Sequence, residues 1–194
     1  NIIAITGSCG KTTLKELLGK SLSKISKVSI SPKSYNNKYG VPLSLFNLNQ
    51  NDDYGILEVG MDKKGEIDYL SKIIEPDVSV ITNVNYAHAK NFKSINQIAL
   101  AKSEIINNTR TNGFVILNAD DTFFKFHKNL AHKKNLSVVS FGIKNQKADI
   151  KLISIKRTDK KFNLNIKINK INKRFLVSND FQNNSYNILA SLAV

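Results

Sequence analysis

The chain has 194 residues, 41% of them hydrophobic, and 29 lysines and arginines against 15 aspartates and glutamates, for a formal net charge of +14 at pH 7. That length carries one α/β domain with a substantial core, and without an apolar run of about 18 residues no membrane-spanning helix is expected. The charge does not read as nucleic-acid binding: Arg110, Arg157 and Arg174 are the only arginines, and the lysines are scattered among asparagines and isoleucines, where groove and phosphate readers favour arginine forks.

The first element is a β-branched run at 2–5, too short for a helix and suited to a buried parallel strand. From Lys11 onward Leu14, Leu17, Leu18, Leu22 and Ile25 recur at helical spacing. Between them lies "TGSCGKTT", residues 6–13. A glycine loop between a strand and a helix puts free N–H groups and the helix dipole where an anion can bind. Gly7, Ser8, Cys9, Gly10, Lys11, Thr12 and Thr13 are therefore the candidate phosphate loop: Lys11 to neutralise β- and γ-phosphates, Thr12 to ligand Mg²⁺. The strict pattern would need Gly in place of Ile5, and the plainer alternative is a tight turn with a surface lysine. Cys9 also raises a phosphatase-type nucleophile, but such a loop wants an arginine six residues on, where this chain has Lys15. As the single cysteine it allows no internal disulfide and fits a reducing compartment.

Further strands are expected at 28–30, 54–59, 78–82, 114–117 and 138–141, with helices at 42–48, 66–74, 95–107 and 121–130. This alternation predicts an α/β fold, a P-loop-containing, mostly parallel sheet flanked by helices. Ligands of such sheets bind beyond the carboxyl ends of the strands, where Thr6-Gly7, Glu58-Val59-Gly60 and Thr82-Asn83 fall. From 148 to 178 apolar and polar residues alternate, with breaks at "RTDKK" and "KINK", which predicts a small antiparallel β meander with one wet face. "NNSYNILASLAV" starts a last helix. With no internal repeat and no linker, residues 1–194 read as one domain.

Three more residues bear on the loop. Glu58 ends a buried strand, where an acid is costly without a partner; His88 follows another strand end; Lys102 sits on the next helix. Each alone reads equally as a capped carboxylate, a satisfied loop histidine and a helix-surface lysine. If the strands are parallel neighbours, Thr12, Glu58, His88 and Lys102 converge at one sheet edge.

Taken in order, "TGSCGKTT", "NNKYGVP", "EVGMDKKGEI", "TNVNYAHAKNFKS", "AKSEI", "LNADD" and "NNSYN" resemble the ATP-binding central domain of the Mur ligases. Within that family they are most similar to the branch that joins D-alanyl-D-alanine to UDP-N-acetylmuramoyl-tripeptide in peptidoglycan precursor synthesis. The resemblance implies an ATP-dependent ligase that forms an amide bond through an acyl phosphate, with ATP and Mg²⁺ as cofactors. It implies Lys11, His88 and Lys102 as catalytic residues, Lys102 as a carbamylated lysine, Thr12, Glu58 and His88 as metal ligands, Asn184 and Asn187 on the adenine side and Asn37 near phosphates or substrate. It also implies a bacterial cytoplasmic enzyme, and a monomer is expected. The start on a strand at Asn1 and the end within a helical pattern are those of a central piece, with a UDP-sugar domain before it and a closing domain after it. The sequence departs from the family pattern at Lys90, Ser103, Phe181 and Asn183. The alternatives are a folylpolyglutamate- or cyanophycin-type ligase of the same superfamily, and a P-loop module that binds nucleotide or nucleic acid without ligase chemistry.

Overall fold

The computed structural model describes residues 1–86, 91–158, 161–178 and 184–194. The chain runs β1 (Ile2–Thr6), α1 (Lys11–Leu22), β2 (Val28–Ile30), α2 (Gly40–Phe46), β3 (Tyr54–Glu58), α3 (Glu66–Ile74), β4 (Val78–Ile81), α4 (Ile95–Asn107), β5 (Phe114–Asn118), α5 (Phe124–Lys133), β6 (Ser137–Gly142), β7 (Ile150–Arg157), β8 (Lys161–Ile168), β9 (Ile171–Ser178) and α6 (Ser185–Ala193). All nine strands form one sheet, in the order β2-β3-β1-β4-β5-β6-β7-β8-β9. Among the described residues no helix is long and apolar enough to cross a membrane.

β1 is central because it can be buried on both faces. Ile3 and Ile5 pack with Leu14 and Leu18 of α1 and with Leu189 of α6. Ala4 points the other way, among Leu70 and Ile74 of α3 and Ile105 of α4. This two-sided burial is what a continuous apolar parallel strand requires. The parallel register brings Ile5 beside Glu58 and Thr6 beside Ile81, so β1, β3 and β4 end together.

Several element ends differ from the sequence expectations by one to three residues, and three of the helix boundaries do so for a clear local reason. α1 stops at Leu22, before Ile25, because the Ser23 hydroxyl donates to the Gly19 carbonyl and a turn follows; Ile25 is left exposed. α5 begins at Phe124 because the Asp121 carboxylate accepts from Phe123 N–H and from Val84 N–H, holding 121–123 as a turn. α2 starts earlier, at Gly40, where the Asn37 side-chain oxygen accepts from the backbone N–H groups of Tyr39 and Gly40.

The meander is antiparallel as expected, but it also continues the main sheet. β7 lies parallel to β6 through only two register pairs, Phe141 with Ile150 and Gly142 with Lys151. A parallel pair ordinarily needs a long crossover. Here the start of β7 lies beside the end of β6, so a short loop suffices. Asp120 secures that loop by accepting from the N–H groups of Ile143, Lys144 and Asn145, and Asp149 does so by accepting from Ser140.

Candidate functional site

The loop of residues 7–10 joins β1 to α1 and is held from the β4 side. Ser8 N–H donates to the Asn83 carbonyl at 3.0 Å, Cys9 N–H to the Asn83 side-chain oxygen at 3.0 Å, and Thr82 Oγ1 to the Cys9 carbonyl at 2.7 Å. Gly7 has φ +146, and a Cβ there would lie 1.8 Å from Thr82 Oγ1, so a side chain is excluded on both counts. Gly10 has φ +83 and starts α1, leaving the first-turn N–H groups facing the loop. Thr6 Oγ1 is buried at the base of the loop with no hydrogen-bond partner among the described residues. Thr13, in the same turn, is exposed.

Lys11 curls back so that its Nζ donates to the Gly7 carbonyl at 2.8 Å. Burial lowers its pKa, and the Glu58 carboxylate opposes that shift. Glu58, 1% exposed at the end of β3, accepts from the Thr12 hydroxyl at 2.8 Å on one oxygen and from Asn36 Nδ2 at 2.7 Å on the other. A hydroxyl beside a buried carboxylate is an all-oxygen donor set suited to a hard divalent cation such as Mg²⁺. Among the described residues no three His, Cys, Asp or Glu side chains cluster.

Lys102 comes from α4 and is 4% exposed, so the helix-surface alternative does not hold. Burial first, then the positive charge of Lys11, pushes its pKa down to about 7. A substantial fraction of this amine is therefore neutral near pH 7. Lys11 and Lys102 line one cleft of about 830 Å³, together with Gly7, Asn36 and Asn37. Asn37 borders the cleft while its side-chain oxygen caps α2. Asn187 lies against the loop, since a Cβ on Gly10 would meet its Oδ1 at 2.9 Å; its Nδ2 donates to Asn184 Oδ1 at 3.4 Å. His88 lies outside the described residues, as do Lys90, Phe181 and Asn183.

The structure thus brings Gly7, Lys11, Thr12, Glu58, Asn37, Lys102 and Asn187 to one sheet edge. Sequence reasoning assigned no role to four supporting residues. Asn36, not Asn37, holds Glu58. Asn83 clamps the loop. Glu104 reaches across from α4 to accept from Gly65 N–H at 2.9 Å and Asp68 N–H at 3.0 Å, capping α3; burial raises its pKa against those donors. Tyr186 donates to Asp120 at 3.0 Å and ties α6 to the loop after β6. The adjacent asparagines of "NNKYG" and the glutamate of "AKSEI" were the available signals.

A family model described as the Mur ligase middle domain matches residues 5–194. The chain belongs to the Mur ligase middle domain family. Among curated relatives, the UDP-N-acetylmuramoyl-tripeptide–D-alanyl-D-alanine ligase of Buchnera aphidicola is 41% identical over 147 residues, covering 75% of this chain and 32% of that protein. Among solved Mur ligases, the structure of MurF from Acinetobacter baumannii superposes with a TM-score of 0.89 at 32% identity, covering 100% of this chain and 42% of that one. MurF ligase from Thermotoga maritima, solved in complex with ADP, gives a TM-score of 0.88 at 27% identity, covering 99% and 44%. The chain therefore spans about a third of the length of that curated relative.

Proposed function

We propose that this chain is the central, nucleotide-binding domain of an ATP-dependent ligase that joins D-alanyl-D-alanine to UDP-N-acetylmuramoyl-tripeptide in peptidoglycan precursor synthesis. The observation that carries this reading is the cleft lined by Gly7, Lys11 and the low-pKa Lys102, with Asn36 of its wall bonded to the Glu58 carboxylate that Thr12 also meets. The name of the curated relative supplies the substrate pair.

On this reading the loop N–H groups and Lys11 grip the β- and γ-phosphates of ATP, and Lys11 stabilises charge on the phosphoryl group in flight. Thr12 and Glu58 would hold Mg²⁺, with His88 as ligand of a second ion, and the metal would supply neutralisation of the phosphate charge. The tripeptide's terminal carboxylate takes the γ-phosphoryl group and releases ADP. The incoming amine then attacks the acyl carbon, phosphate leaves, and the amine's proton departs as the amide forms. Activation is required because a free carboxylate is a poor electrophile, and positioning the two reactants is the enzyme's main contribution. Lys102 in its neutral form adds to carbon dioxide, losing one proton and becoming a carbamate whose negative charge orients metal and substrate. Asn184 and Asn187 lie on the adenine side, and Asn37 contacts substrate. Separate domains before and after this one bind the UDP-sugar and close over ATP, and the assembly works as a cytoplasmic monomer.

The test is ADP release by the full-length protein given UDP-N-acetylmuramoyl-tripeptide, with and without D-alanyl-D-alanine. ADP formation that requires both substrates is expected. No stimulation by either would overturn the assignment.

A further inference from the structure

Lys15 is a lysine with no access to solvent. It lies on α1, one turn beyond Lys11 and Thr12, and its side chain is 0% exposed. A buried ammonium is costly unless its protons are taken. Its Nζ donates to the backbone carbonyl of Ser31 at 2.6 Å and also to that of Lys33, with the partly exposed Glu16 carboxylate 3.6 Å away. Both carbonyls belong to the segment between β2 and α2. Lys33 has φ +44, a backbone state a non-glycine residue adopts at a cost.

That segment is the arm that holds Glu58. At one end, Ser31 N–H donates to the Ile56 carbonyl at 2.9 Å, and Ser31 Oγ accepts from Glu58 N–H at 3.3 Å. At the other, Asn36 Nδ2 donates to the Glu58 carboxylate at 2.7 Å, and its carbonyl accepts from Gly60 N–H at 2.7 Å. Between these anchors, Lys15 grips the arm at its bend. One helix therefore carries both Thr12, which meets Glu58 directly, and Lys15, which holds the arm that meets Glu58 from the other side.

We propose that Lys15 is a positioning residue for the cation site: by gripping the carbonyls of Ser31 and Lys33 it fixes the 31–36 arm, so that Asn36 orients the Glu58 carboxylate toward Thr12. This rests on the nucleotide-and-Mg²⁺ reading of the cleft. Groups that orient a ligating carboxylate are worth about 10–100-fold in metal affinity, and the role of Lys15 passes through Asn36 rather than through contact with substrate.

The experiment is a double-mutant cycle on the full-length protein. Binding of a fluorescent ADP analogue is measured against Mg²⁺ concentration for wild type, Lys15→Met, Asn36→Ala and the pair, with urea unfolding of each. Lys15→Met is expected to raise the half-saturating Mg²⁺ concentration about ten-fold, and the pair to be no worse than the weaker single variant, since both break the same arm. Lys15→Gln keeps two N–H donors, is expected to recover part of the effect, and completes the cycle if the Met variant does not fold. A Mg²⁺ midpoint unchanged in a destabilised Lys15 variant, or fully additive effects, would overturn the positioning role alone. Wild-type binding indifferent to Mg²⁺ would overturn the reading of the cleft, and the positioning role with it.

Discussion

The parallel half of the sheet and the antiparallel meander solve burial in opposite ways. β1, β3 and β4 are covered on both faces; Thr6, Glu58 and Thr82 gather at or just past their carboxyl ends, beside the glycine loop, while Ser79 inside β4 is satisfied by the Thr109 hydroxyl. In β7, β8 and β9 one face buries Leu152, Phe162, Leu164 and Ile166, the other meets water, and no acidic residue occurs in the three strands. The difference teaches where chemistry can be placed. At that edge α4 buries Lys102 beside Lys11 in a low-dielectric setting, which is why its amine is so displaced; a half-wet strand spreads its charges into solvent, where they are screened.

The sharpest way to break the parallel half is Lys11→Ala. Removing a cation aimed at charge that develops in the transition state is expected to cost about 10²–10³-fold in kcat, read as ADP release under saturating substrates. Gly7→Ala should destabilise by about 3 kcal/mol, since it combines an unfavourable φ with a Cβ placed on Thr82; urea midpoints would show it, and a shift below about 0.5 kcal/mol would contradict the close approach.

The Lys102 amine makes a signed prediction with pH. Its ordinary pKa of 10.5 falls to about 7 in the folded protein, so between those values the unfolded chain holds a proton that the native one has released. Lys102 therefore makes stability rise with pH across that window and contributes no slope below it, where both states are protonated and its burial penalty is at its fullest. In bicarbonate-free buffer, Lys102→Met is expected to be more stable than wild type at pH 7 and to lose that advantage towards pH 10. An equal gap at both pH values would remove the buried-amine account. In the meander, by contrast, Leu176→Thr changes an exposed side chain and should move stability by less than about 0.5 kcal/mol. A larger loss would show that the wet face is covered in the full-length protein.

Much of this was legible in the chain itself. The 2–5 run, the glycine loop and the leucine spacing of α1 are decided by residues within a turn or two of one another, so strand, loop and helix follow from local chemistry. Alternation along 148–178 likewise declared a half-wet meander. Other features depended on which strands became neighbours. That Asn36 rather than Asn37 meets Glu58, that Glu104 caps α3 from α4, that Lys15 is sealed inside and that β7 extends the main sheet are contacts between residues far apart in sequence or on packed faces. Local pattern can say that a lysine lies on a helix; only the packed sheet decides whether that lysine meets water or two carbonyls, because burial is a property of the neighbours and not of the residue.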